Sequence, residues 1–134
     1  MRRFKLAGLS AIVVVASFFV FCGQTQAQVS GNWKGSWISH TNGHHGNLNA
    51  RIRQVDCNHY RAVFRGTFFK VIPFRYSAKL EVVEQQPGYT RLSGSQRLGP
   101  LMGDFGYEAI VSGNQFQATF HSKKDRGVWQ MTRQ

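Results

Sequence analysis

Acidic residues and cysteines are scarce in this chain: its 134 residues hold 6 Asp+Glu and 2 Cys. Two cysteines exclude a disulfide-stapled mini-protein and any Cys-based zinc centre. Few carboxylates leave little for acid–base chemistry. Glu81 and Glu84, three apart on an extended run, are expected to face opposite ways, which spoils the paired geometry of a glycosidase. There is no G-x-S-x-G, no H-E-x-x-H and no phosphate-cradling glycine loop. From Val29 onward there is also no helical apolar period. The expectation is therefore a non-catalytic protein that needs no cofactor.

What the chain has in quantity is positive charge and aromatic rings. Seventeen Lys+Arg give a formal charge of +11, and 13% of residues are Phe, Trp or Tyr. That aromatic share belongs to a packed core and not to a disordered polymer. The length suits one domain.

The basic cluster Arg2, Arg3 and Lys5 precedes an uncharged apolar run, Leu6 to Phe21, and then Thr25 and Ala27 sit at −3 and −1 of a small-residue cleavage site. This is the three-part pattern of a secretory signal. As a helix the run reaches about 24 Å, short of the ~30 Å hydrocarbon core. Residues 1–27 are thus expected to be a signal peptide and 28–134 a single β-domain, exported to the periplasm or beyond the cell, with no transmembrane helix after cleavage. Cys22 follows Phe21 where a lipidation site wants a small residue, so it is read as unmodified. Cleavage removes Arg2, Arg3 and Lys5 and lowers the formal charge from +11 to +8.

Period-2 alternation recurs through the rest of the chain, punctuated by turn residues. Trp33, Gly35 and Trp37 share one face of the first run; Tyr60, Ala62, Phe64, Gly66 and Phe68 share one face of the third. Eight such runs, with a weaker one at Tyr89–Ser95, have the spacing of an all-β domain. Short connections join sequential antiparallel neighbours, and pairing the first run with the last removes exposed edges. The expected fold is an all-β, antiparallel up-and-down barrel of about eight strands; a two-sheet β-sandwich would give the same alternation.

Gly31-Asn-Trp33 opens the first run and Arg133 closes the last. This resembles the calycin barrels, the lipocalin, fatty-acid-binding and avidin-like proteins, where an N-terminal Gly-x-Trp packs beneath a terminal basic residue. The resemblance implies a barrel and leaves the ligand open.

A meander places alternate turns at opposite ends. Those at Val55–Asn58, Gln85–Gly88 and Ser112–Asn114 are compact and polar. Those at His40–Gly46, Lys70–Pro73, Gln96–Gly103 and Ser122–Asp125 are mostly longer, and two of them carry Val71, Ile72, Leu98, Leu101 and Met102, which alternation does not bury. Barrel mouths are common ligand sites, so this loop-rich end is the candidate opening. The candidate ligand residues are Trp33, Trp37, Tyr60, Tyr76, Tyr107, Ile72, Leu101 and Met102, with the tyrosine hydroxyls as polar handles. The rival expectation is a solid core, with large rings interleaved with Ala and Gly and those loop residues folded over as a plug.

Arg51, Arg53, Arg61, Arg65, Arg75, Lys79 and Arg91 share the outward parity of the second to fifth runs, with Glu81 the one interruption. Such a face suits an anionic polymer or envelope surface, or serves solubility alone. Nucleic acid is not expected, because stacking aromatics are not interleaved with the charge. His40, His44 and His45 are the weak candidates for a metal, without a nearby carboxylate to complete a shell. Cys57, the one thiol left after cleavage, could be buried or could link two copies as a homodimer. A Cys57/His59 nucleophile would lack a third, orienting group. Three functions stay open: a carrier of a small apolar or amphipathic ligand, a binder of anionic polymers through the Arg face, and a purely structural envelope protein.

Overall fold

The computed structural model describes residues 29–97, 100 and 103–134. The expected leader 1–27 and the loop residues Leu98, Leu101 and Met102 lie outside the described residues. Eight strands follow one another: β1 (Gly31–Ser39), β2 (His45–Asp56), β3 (His59–Phe68), β4 (Ile72–Gln86), β5 (Tyr89–Arg97), β6 (Asp104–Ser112), β7 (Gln115–His121) and β8 (Arg126–Arg133). Each pairs antiparallel with the next, and β1 pairs with β8, from Trp33 opposite Arg133 to Ser39 opposite Gly127. The sheet is a closed barrel and not a sandwich.

Alternation decides which side chains enter the barrel. On β6, Phe105, Tyr107, Ala109 and Val111 are buried while Glu108 and Ile110 are exposed. Across strands, large residues meet small ones: Ala50 stands opposite Phe64, and Ala118 opposite Trp129. That pairing lets an eight-stranded barrel fill its interior without forcing rings into one another.

Compact turns close one end, where β1 begins and β8 finishes. Trp33 is 1% exposed there; its indole Nε1 donates to the Val29 carbonyl at 3.0 Å and its ring meets Phe116 edge-on at 5.6 Å. The Arg133 guanidinium lies 4.3 Å over the same ring and donates to the Ser30 carbonyl at 2.7 Å. The packing that the calycin resemblance implied at the chain ends is therefore present, and it forms the barrel's floor.

Two irregularities depart from simple alternation. A bulge between Val82 and Glu84 pairs Glu81 with Ser93 and Glu84 with Arg91, so both glutamates lie on the outer face, contrary to the opposite facing expected of them. Glu84 is engaged there, accepting from Tyr89 Oη and Gln86 Nε2 at 2.8 Å each and lying 3.6 Å from Arg91. The second irregularity is the β3–β4 turn, where Val71 N–H donates to the Phe68 carbonyl at 3.1 Å and both Phe69 (φ 50°) and Lys70 (φ 65°) are left-handed. Tight hairpins favour that conformation, but normally with Asn-Gly. Replacing Phe69-Lys70 by Asn-Gly is expected to stabilise the fold by about 1–2 kcal/mol, the cost of left-handed backbone at ordinary residues. A urea midpoint that falls instead would mean that Phe69 stabilises the turn through its contact with His44, whose ring is 4.6 Å away.

Candidate functional site

The loop-rich end holds a cavity of about 60 Å³ whose lining includes Trp37, Phe68, Phe74, Tyr76, Tyr107 and Trp129. Strand parity aims each of these rings inward, and together they form an almost continuous aromatic wall. Trp37 meets Phe68 edge-on at 5.2 Å, Phe68 lies 4.6 Å from Phe74, and Phe74 stacks on Tyr76 at 5.8 Å. On the other side Tyr107 lies 4.9 Å from Trp129. The planes of Tyr76 and Tyr107 are within 18° of parallel, with centroids 6.5 Å apart.

Polar groups in this apolar setting are few. Tyr107 is 2% exposed, and its hydroxyl makes no hydrogen bond of proper geometry among the described residues, although the Tyr76 hydroxyl is near enough to influence its ionisation. Outside that lining, on β5 opposite Phe105, the Gln96 side-chain carbonyl is also buried without a partner among the described residues. Asp125, from the β7–β8 turn, also reaches the cavity and accepts from the buried Ser39 hydroxyl. That bond, with His40 N–H donating to the Arg126 carbonyl at 2.8 Å, ties the β1–β2 loop to the β7–β8 turn. This side of the rim is held by hydrogen bonds. The β3–β4 side instead carries Phe69, Val71 and Ile72, each more than half exposed.

Burial pushes the Tyr107 hydroxyl up to about 12 from its ordinary 10.0, with the Tyr76 hydroxyl offsetting part of the rise. Tyr76 is raised further, by burial first and then by the charge an ionised Tyr107 would place beside it. Between pH 10 and about 12 the unfolded state therefore binds fewer protons than the folded one, so stability falls as pH rises through that window. Tyr107→Phe is expected to flatten part of that fall. At neutral pH it should leave the fold equally stable, or more stable by up to ~1 kcal/mol, because it removes an unpaired buried hydroxyl. Denaturant titrations at pH 7 and pH 11 check both.

The structure divides the expected ligand residues. Trp37, Tyr76 and Tyr107 line the cavity and Ile72 stands exposed on its rim. Trp33 is in the floor beneath Arg133, and Tyr60, buried at the β3 end beside the closed turns, is not part of the cavity lining. Leu101 and Met102 lie outside the described residues. The candidate ligand residues lack Phe68, Phe74, Trp129 and Asp125, all of which line the cavity. Inward parity marks the three rings; no local signal marks Asp125, whose place depends on Ser39 across the barrel.

Of the basic residues, Arg51, Arg53, Arg61, Arg65 and Arg75 line one groove on the outer wall of β1–β4. Lys79 stands directly opposite Arg61 on that wall, whereas Arg91 lies apart, beside Glu84. His40, His44 and His45 are exposed, and no three His, Cys, Asp or Glu among the described residues are placed to hold a metal ion. At the β2–β3 turn, Asp56 does orient His59, its carboxylate 2.8 Å from Nδ1, which supplies the third group that the sequence did not show. The Asn58 N–H, and then His59, hold the Asp56 carboxyl below its usual range. Cys57, however, is disulfide-bonded in the full chain, so there the turn offers no free nucleophile; the lone thiol is an expectation for the chain after cleavage.

No protein-family model matches the chain, and no curated protein sequence matches it. Solved structures do. EF1p2_mFAP2b bound to DFHBI is 14% identical with a TM-score of 0.59, the match covering 84% of this chain and all of that one. A de novo designed fluorescence-activating β-barrel is 16% identical with a TM-score of 0.57, the match covering 78% of this chain and 93% of that one. The likeness is one of fold. It sets the chain beside small closed barrels, and the calycin resemblance rests on the barrel and its floor without a matching family model.

Proposed function

We propose that this chain is an exported, non-catalytic binding protein that holds a small, flat, mostly apolar ligand at the loop-rich end of the barrel. The observation that carries the reading is the Tyr107 hydroxyl, buried in an aromatic cavity without a partner among the described residues. An unmade hydrogen bond of this kind costs about 1–3 kcal/mol unless something supplies a partner. A ligand with one polar group among its rings would do so. The neighbour EF1p2_mFAP2b, bound to DFHBI, supports the reading by analogy of fold.

The cavity, about 60 Å³, is far below the roughly 300 Å³ at which ligand pockets begin. Binding therefore requires the mouth to open. Phe68, Phe74 and Tyr76 are half-buried rings of the wall, and the first two adjoin the left-handed β3–β4 turn. The expected motion is an outward swing of that hairpin tip.

Titration with 1-anilinonaphthalene-8-sulfonate and with DFHBI, read by dye and tryptophan fluorescence, tests the proposal. Saturable binding is expected, weakened about five- to tenfold by Tyr107→Phe, the worth of one hydrogen bond of ~1–1.4 kcal/mol. Saturable binding unaffected by both Tyr107→Phe and Trp129→Leu would place the ligand elsewhere and overturn it.

A further inference from the structure

The outer wall of β1–β4 carries a second feature, independent of the cavity. Arg53 stands directly opposite Arg61, Arg61 opposite Lys79, and Arg65 opposite Arg75. Strands are about 4.8 Å apart, so each pair sets like charges side by side at a cost to the fold. Among the described residues none of these side chains enters an ion pair; the pairs that form are Asp56 with His59 and Glu84 with Arg91. The fold thus maintains a repulsive array that solubility does not require, since the same charges could be dispersed over the barrel.

The array is not flat. A groove of about 700 Å³ runs between the strands, walled by the arginines and by Lys34. Among the described residues no Asp or Glu lines it. Asn32, Asn49 and Gln134 do, and the side-chain amides of Asn32 and Asn49 make no hydrogen bond to other described residues. Guanidinium groups fork onto carboxylate or sulfate oxygens in a way lysine cannot. Amides donate to and accept from hydroxyls. Two rows of arginines, Arg53–Arg61 and Arg65–Arg75, lie about four residues, or ~13 Å, apart along β3, so successive charges on one extended polymer can engage both.

We infer that this groove binds an anionic polysaccharide, a chain of sugars carrying carboxylate or sulfate groups. The guanidinium rows take the charges and the Asn and Gln amides take the hydroxyls. Single-stranded nucleic acid fits less well, because bases need exposed rings to stack on and the aromatic of this groove, Trp33, is buried beneath Arg133. A bilayer fits less well too, because the exposed Phe69, Val71 and Ile72 that could enter one lie at the hairpin tip and not on this wall.

The test is calorimetric titration of the protein with polygalacturonate, dextran sulfate and neutral dextran at about 50 and 200 mM salt. Binding to at least one anionic polymer and none to neutral dextran is expected, with affinity falling about tenfold or more between the two salts, as multi-charge contacts require. Which polymer binds separates carboxylate from sulfate recognition. Arg65→Gln/Arg75→Gln and Arg53→Gln/Arg61→Gln should each lose about tenfold or more in affinity while melting at the same temperature or higher, since each relieves an opposed pair. Lys123→Gln/Lys124→Gln, an equal loss of charge on the β7–β8 turn, should lose about threefold or less. Equal losses in all three variants would reduce the effect to net charge and overturn the groove. Tighter binding to a single-stranded oligonucleotide or to phosphatidylglycerol vesicles at the same salt would overturn the assignment to saccharide. Tyr107→Phe should leave polymer binding unchanged, so failure here and failure of the cavity reading are distinguishable.

Discussion

Trp33→Ala is expected to lower stability by about 3–5 kcal/mol, the range for removing a fully buried indole from a core that can collapse only in part. For a domain of this size that is a fall in Tm of roughly 12–25 °C. The loss has several parts that act together. The ring fills the floor against Phe116, its N–H satisfies the Val29 carbonyl, and its upper face carries the Arg133 guanidinium. Without it Arg133 keeps its bond to the Ser30 carbonyl but loses its platform. Arg133→Gln alone should cost less, about 2–3 kcal/mol, the worth of a cation–π contact together with a charged hydrogen bond. Urea unfolding of the two variants separates the contributions. A Trp33→Ala loss below ~1.5 kcal/mol would mean that the floor is not part of the cooperative core.

Gly35→Ala is expected to destabilise by about 3 kcal/mol or more, beyond the usual cost of one added methyl group. Gly35 sits on β1 opposite Met131 of β8, at the seam that closes the barrel. A Cβ built there would lie 1.8 Å from the Gln130 carbonyl oxygen and 2.7 Å from the Met131 Cα. Both are backbone atoms, so no rotamer change makes room and the seam itself must part. Gly127 repeats the situation further along, its Cβ falling 2.0 Å from the Ile38 carbonyl oxygen. Circular dichroism and denaturant titration should show a folded but weakened barrel, or none. A variant within about 0.5 kcal/mol of the parent, the range of an ordinary surface change, would show that the two strands lie further apart at this seam.

Much of this architecture is written in the sequence because a barrel interior has one rule, period-2 alternation, and the chain keeps it. Tyr60, Ala62 and Phe64 enter and Arg61 and Arg65 stay out, as their spacing requires. The two ends were also legible, since turn length and turn chemistry follow from the strands they join. Registers with an extra residue were not. The bulge at Val82–Glu84 changes the facing of Glu84 without any glycine or proline to announce it. Gln96 reads as loop because a polar residue at an inward position looks like the end of a strand, whereas β5 continues to Arg97. Asp125 and Ser39 meet across 86 positions of sequence, a contact that only closure of the barrel creates. The separation of Trp33 from Trp37 has the same origin. Both face inward on one strand, and only the assignment of the floor to the chain ends shows that one is structural and the other lines the cavity.

Whether the loop-rich end holds a ligand is tested most directly by native mass spectrometry of the protein purified under gentle conditions from its own source. A reproducible extra mass, that of one small molecule, is expected in the parent and should be reduced or absent in Tyr107→Phe. A bare mass in every preparation, with no saturable binding of the aromatic probes, would contradict the carrier reading and leave the arginine groove as the functional surface.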